Sequence, residues 1–311
     1  MNRIEKVKIY CSIASVSFIQ GLQFSVSPVL GQISRHYPAV DISLVQMLIT
    51  GPALTAMVFS LISGGLAVKI SMKKLLVSGS FLAGAAGITP FLCDSFPLLF
   101  ACRMIYGISL GLALALNTAV VARFFEGDER VSAMGIQAAS IGGGMVVVSA
   151  VGGALGSLDF RLSYLVNIIG FISMIVLAAF LPETNPGEAY REKTGRIPGD
   201  GTKSIRLNRS VFMICLLGML EFLFLISFTT NIAMHMSGGL AGNSSASGSI
   251  TGIFSGTQII VGLVLGRITR LIKKAALPAA MVRDVYKRQV LRNSMAPERQ
   301  RARYKSSVRS G

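Results

Sequence analysis

The chain has 311 residues, 52% of them hydrophobic and only 14% charged, with a formal net charge of +16. A soluble domain carries about a quarter charged residues, so this composition excludes an ordinary water-soluble globule and calls for a hydrocarbon surrounding. A nucleic-acid binder is excluded by where the basic residues lie: they sit between long apolar runs, marking one side of a membrane.

A helix needs about 20 apolar residues to cross the roughly 30 Å hydrocarbon core. The sequence offers eight such runs, at roughly 8–30, 44–68, 75–93, 97–122, 132–156, 162–181, 210–234 and 247–266. The first follows Arg3, Lys6 and Lys8 as a signal peptide would, but it continues to Leu30 without a small-residue cleavage pattern and reads as a retained span. It carries Gln20 and Gln23. Span 2 ends in a basic turn, Gly64-x-Leu66-Ala67-Val68-Lys69-Ile70-Ser71-Met72-Lys73.

Span 4 places Arg103, Gly107 and Gly111 at i, i+4 and i+8, and Asn117 returns to nearly the same face. An arginine inside a span costs at least about 2.5–3.5 kcal/mol on insertion scales. Arg103 must therefore face protein or water and find a partner, or else snorkel from the outer end of the span. Between spans 4 and 5 stands Asp128-Glu129-Arg130, ahead of Gly142, Gly143, Gly144, Gly152, Gly153 and Gly156. These glycines lack the Lys-Ser/Thr of a phosphate loop and serve close helix packing. Span 6 opens with Phe160-Arg161-x-x-Tyr164-x-x-Asn167 and closes with Leu181-Pro182-Glu183-Thr184. About 25 polar residues with Pro186 and Pro198 follow as a linker.

Span 7 holds Glu221 at mid-depth, the one acidic residue so placed in the chain. A carboxyl there is costly when ionised and unpaired, which suits it to exchanging a proton. Phe224, Phe228 and Asn231 follow at i+3, i+7 and i+10, an aromatic and polar stripe fitted to an amphiphilic solute. Two alternatives stand beside this reading: a protonated Glu221 bonded to a neighbouring helix, or a static pair with Arg103.

With the N-terminus inside, the inner loops hold 18 Lys and Arg and the outer loops only Arg35 and Arg161, which fixes the orientation by the positive-inside rule. The segment Gly64–Ser71 recurs 198 residues on as Gly262–Thr269, with four of eight positions alike, two of them identical and two conservatively replaced. The same offset carries span 1 onto span 7, as in parallel-repeat transporters. A second bundle of equal length would run to about residue 390, yet the apolar periodicity stops near Pro278, four spans short. From Ala279 a tail with nine Lys or Arg follows. Its stretch Val282–Gln289 resembles translated sequencing-adapter read-through, so residues 275–311 are expected to be non-native; the alternative is a juxtamembrane polybasic tail on anionic lipid. Cys11, Cys93, Cys102 and Cys215 show no metal or disulfide spacing. His36 and His235 fall in loops without evident partners, and no catalytic constellation occurs.

The order and spacing of these motifs resemble the major facilitator superfamily over about residues 1–275. The loop after span 2 resembles the family's G-x-L-a-D-r-x-G-r-k signature, with Val68 at its acidic position and Ser71 at its second glycine, which removes a charged latch. Arg103-x-x-x-Gly107 resembles the R-x-x-x-G motif, the Glu129-Arg130 pair the loop between spans 4 and 5, and span 6 the W-R-x-x-F-x-x-N and L-P-E-T patterns. Val148-Ser149 stands where the antiporter motif has Gly-Pro.

The resemblance implies an all-α membrane protein of the major facilitator fold, with a complete six-helix bundle (1–184), a cytoplasmic linker (185–208), helices 7 and 8 of a second bundle (209–274) and the tail. It implies a monomeric secondary transporter, not an enzyme, in the inner (plasma) membrane with a cytoplasmic N-terminus. Alternating access would move a small organic solute, with protons, no cofactor and no metal; drug-like or amphiphilic efflux is favoured by family frequency alone. Gln20, Gln23, Arg103, Asn117, Glu221, Phe224, Phe228 and Asn231 would line the pathway, although the uncharged ones have the alternative of interhelical hydrogen bonds worth about 0.6 kcal/mol each. Gly64, Lys69, Lys73, Gly107, Gly111, Arg130, Gly144, Gly152 and Gly153 would serve the conformational switch. The competing expectation is a non-transporting remnant, sensor or scaffold that kept the bundle.

Overall fold

The computed structural model describes residues 2–184 continuously, and then residues 213, 216, 219–220, 223–228, 231, 245, 248–257, 259–260 and 263–264, all helical. By internal packing the chain divides at Leu263, and only Val264 of the second unit is described. Among the described residues there is no strand.

The first span runs from Arg3 to His36 as three pieces: α1 (Arg3–Gly21), a 3-10 segment (Leu22–Val29) and α2 (Leu30–His36). Four long helices follow: α3 (Ile42–Lys69), α4 (Met72–Leu92), α5 (Phe96–Phe124) and α6 (Gly127–Leu158). The sixth span joins a second 3-10 segment (Phe160–Ile168) to α7 (Ile169–Phe180). All six spans are long and apolar enough to cross a membrane, and their ends lie within a few residues of those expected from the apolar runs.

Helix starts are set by local chemistry. Asp41 Oδ1 accepts from the Ser43 amide at 2.7 Å, Ser71 Oγ from the Lys74 amide at 3.3 Å, and Asp159 Oδ1 from the Arg161 amide at 2.8 Å, each satisfying a donor that a helix N-terminus leaves open. The two 3-10 segments depart from the continuous α-helices expected for spans 1 and 6. Pro28 cannot donate within the first. In the second, Ser163 Oγ donates to the Phe160 carbonyl (2.6 Å) and Asn167 Nδ2 to the Tyr164 carbonyl (2.9 Å), so side chains hold carbonyls three residues back.

Small residues bring the helices together. A methyl at Gly107 or Gly111 of α5 would lie 2.5 Å from the Pro52 or Ala56 carbonyl oxygen of α3, and one at Gly170 of α7 would lie 2.7 Å from Gly84 Cα of α4. Two apolar clusters result. One, around Ile13, Val16, Leu110, Leu116, Val121 and Phe125, fills the bundle towards its N-terminal end; the other, around Val29, Leu30, Ile33, Leu48, Ile49 and Tyr164, fills the opposite end. Along α3, Leu54, Met57, Val58 and Leu61 point outward, Leu61 76% exposed, an apolar face that suits lipid and not water.

Candidate functional site

A polar seam runs between span 1 and α5. Asn117 Nδ2 donates to Ser17 Oγ (3.0 Å) and to the Ile13 carbonyl (3.4 Å), Gln20 Nε2 to the Ala113 carbonyl (3.3 Å), and Tyr106 OH to the Ile19 carbonyl (2.6 Å). Higher in the span, Arg103 Nη2 donates to Ser25 Oγ at 3.0 Å, while Gln23 Nε2 reaches the Ile49 carbonyl of α3 at 3.4 Å. Gln20, Gln23, Arg103 and Asn117 are all 5% exposed or less. The structure thus brings these four pathway candidates together inside the first bundle, each clasping another helix. Ser17, Ser25 and Tyr106 belong to the same seam; the spacing of Ser17, Gln20 and Gln23 along span 1 was a signal for the first, and Ser25 and Tyr106 had none.

Of the span 7 candidates, Glu221 lies outside the described residues. Phe224 is exposed and stacks on Phe228, with ring centroids 6.4 Å apart at 18°, and Phe228 meets Phe254 of the eighth span at 4.5 Å. Asn231 turns back on its own helix, donating to the Ser227 carbonyl at 2.8 Å and Ser227 Oγ at 3.3 Å. Phe254 had no marker in the sequence beyond its place in an apolar run.

The candidate switch residues fall into three groups. Gly107 and Gly111 set the closeness of α3 and α5, whereas Arg103, one and two turns before them, reaches span 1 instead. A methyl at Gly144 would meet Phe18 Cα at 3.0 Å and one at Gly152 the Ser25 carbonyl oxygen at 3.4 Å, both in span 1, while Gly153 and Ser149 lie against Gly248 of the eighth span. Near the helix ends, Gly64 has open space, Lys69 is exposed, and Lys73 and Arg130 are half-buried. Beside them the Met72 amide, at the start of α4, donates to Thr184 Oγ1 (3.2 Å), tying this turn to the end of span 6. Glu129 accepts from Lys6 Nζ at 2.5 Å.

At the opposite end a clasp appears that apolar periodicity could not show. Asp94, in the three-residue loop between α4 and α5, receives His36 Nε2 (3.0 Å), Tyr37 OH (2.5 Å) and the Arg161 guanidinium. His36 is therefore not partnerless, as its loop position implied: its ring also lies 4.7 Å from Tyr37 and 4.8 Å from Phe160. His235 lies outside the described residues. Burial, reinforced by the Asp94 hydrogen bond and charge, pushes the Tyr37 phenol up to about 12. The same hydrogen bond holds the Asp94 carboxyl below the usual carboxylate range, with His36 and Arg161 adding to it. A lone acid in a short loop on the side poor in basic residues was the available signal.

No curated protein matches this chain. Among solved structures, the proton:xylose symporter XylE bound to 6-bromo-6-deoxy-D-glucose shares 13% identity and a TM-score of 0.51, over 89% of this chain and 91% of that one. The human organic anion transporter MFSD10 (TETRAN) shares 13% identity and a TM-score of 0.46, over 85% and 89%. The family model described as Major Facilitator Superfamily matches residues 13–282. With six membrane-length helices, a bundle packed on glycines and that match over most of its length, the chain belongs to the Major Facilitator Superfamily, and it is a multi-pass membrane protein of the secondary-transporter class, not an enzyme.

Proposed function

We propose that the chain is a proton-coupled secondary transporter that moves a small amphiphilic organic solute outward by alternating access. It would act as a monomer in the inner (plasma) membrane with its N-terminus in the cytoplasm. The observation that carries this reading is the family match over residues 13–282. Residues 1–184 would form one bundle, 185–208 the linker and 209–274 the start of the second bundle. The glycines of α6 support a rocking motion: Gly144 and Gly152 press on span 1 while Gly153 presses on the eighth span, so one helix contacts both halves through bare backbone.

In this reading Gln20, Gln23, Arg103 and Asn117 form the polar wall contributed by the first bundle, and Phe224, Phe228 and Asn231 the aromatic side of the pathway. Glu221 carries the proton. Its place in the middle of span 7 makes an unpaired carboxylate costly there, so proton release and solute binding would be linked. In proteoliposomes, Glu221→Gln is expected to abolish transport driven by a proton gradient while leaving energy-independent solute exchange largely intact. Gradient-driven transport that persists in the variant with the wild-type pH dependence would remove Glu221 from the coupling role.

A further inference from the structure

Spans 1 and 6 leave the α-helical pitch where they pack against each other. Runs of 3-10 helix longer than three or four residues are uncommon and mark hinges or strained places. Irregular backbone at membrane depth is tolerated where protein buries it or where it lines a site. Arg103 of α5 reaches into this junction. Its Nη2 donates to Ser25 Oγ of the first 3-10 segment at 3.0 Å, and that segment packs on the second, which holds Tyr164. Arg103 is 3% exposed and Tyr164 1%.

Among the buried polar groups of this junction that lack a partner, which include Asn167 Oδ1 one turn from Tyr164, only the Arg103 guanidinium carries a charge. Arg103 Nη1 and the Tyr164 hydroxyl are both buried without a hydrogen-bond partner. Ser25 Oγ accepts from Arg103, which leaves its own proton to give. Every Asp and Glu among the described residues stands in a loop or in the first turn of a helix, and none of them is an ion-pair partner of Arg103. A water molecule would satisfy the donors and leave the charge with only the Tyr106 ring, whose centroid lies 5.9 Å from the guanidinium carbon, and a poorly compensated buried charge is the costlier fault.

We propose that this junction holds a small monovalent anion, a halide or the carboxylate head of an organic solute, between Arg103 Nη1, the Tyr164 hydroxyl and the Ser25 hydroxyl. The site does not depend on solute movement, so its test is separate from that of the transport reading.

The 311-residue chain, purified into phosphatidylcholine nanodiscs, is unfolded thermally in rising sodium chloride or sodium acetate, with sodium sulfate at matched ionic strength as the control. An anion that binds the folded state raises the unfolding midpoint in a saturable way, and sulfate, doubly charged and larger, is excluded. Arg103→Gln is expected to abolish the ion-specific rise. Tyr164→Phe keeps the packing and removes one hydrogen bond to a charged group, so apparent affinity should fall about tenfold. If Arg103→Gln does not fold, Tyr164→Phe decides alone. A rise with chloride only assigns a free halide, a rise with acetate only assigns a carboxylate head, and mutual competition assigns one site that accepts both. Equal responses to all three salts, or an ion-specific rise unchanged in Tyr164→Phe, would overturn the proposal and leave water as the occupant.

Discussion

Asp94 is the residue on which the end of the bundle away from the N-terminus closes, because one carboxylate receives groups from the end of span 1 and the start of span 6. Its depressed titration fixes the sign of a pH effect. A carboxyl whose pKa is lowered on folding adds stability that is present above the ordinary Asp range near 3.9 and is lost as pH falls through the folded value. Asp94→Asn should therefore flatten the acid limb of the unfolding midpoint measured between pH 6 and pH 3. Tyr37 supplies a second readout from the same contact. Its phenol, pushed up to about 12 chiefly by burial with Asp94 adding, should ionise at lower pH in Asp94→Asn. The measurement is phenolate absorbance in the alkaline range, each protein being compared with its Tyr37→Phe counterpart. An unchanged Tyr37 titration in the Asn variant would show that the clasp is not formed in solution.

At the scale of elements, close helix approach depends on individual glycines and not on glycine content. A methyl at Gly21 of α1 would lie 2.7 Å from the Gly144 carbonyl carbon of α6, whereas one at Gly143 would meet nothing within 4 Å. Gly144→Leu should cost about 1–3 kcal/mol by forcing the two helices apart, and Gly143→Leu should stay within about 0.5 kcal/mol, both read from unfolding in nanodiscs. Equal losses would mean that α1 and α6 do not meet through Gly144. The same contrast explains what the sequence disclosed. Six spans were legible because a bilayer demands some twenty apolar residues regardless of neighbours. The glycine cluster of α6 was legible as packing, but which glycine faces which partner depends on helix rotation, which apolar runs do not encode. The 3-10 segments were hidden because they go with single residues, Pro28 with no N–H to give and Ser163 and Asn167 bonded to carbonyls three residues away, inside stretches as apolar as any α-helix. Arg103 was legible as a buried cation in need of a partner, yet Ser25, 78 residues away, and Tyr164, two spans on, could be joined to it only by the fold.

For the whole molecule, the described contacts sort the span ends into two sets. Lys6, Met72, Glu129 and Thr184 meet at one end, and His36, Tyr37, Asp94 and Arg161 at the other, as an odd and even succession of crossings requires. The orientation expected from charge puts the first set inside: the sequence assigns 18 Lys and Arg to inner loops and 2 to outer ones, and basic residues are retained inside. The protein carries its own reporter for this orientation, since Cys93 is exposed beside Asp94 while Cys102 is buried. With Cys11, Cys102 and Cys215 replaced by Ser, an impermeant maleimide added to intact cells is expected to label Cys93. In the same background with Cys93→Ser, a cysteine introduced at the exposed Glu126, in the loop between α5 and α6, is expected to react only after the membrane is opened. Reaction at position 126 in intact cells, with Cys93 protected, would invert the molecule and place the Asp94 clasp in the cytoplasm.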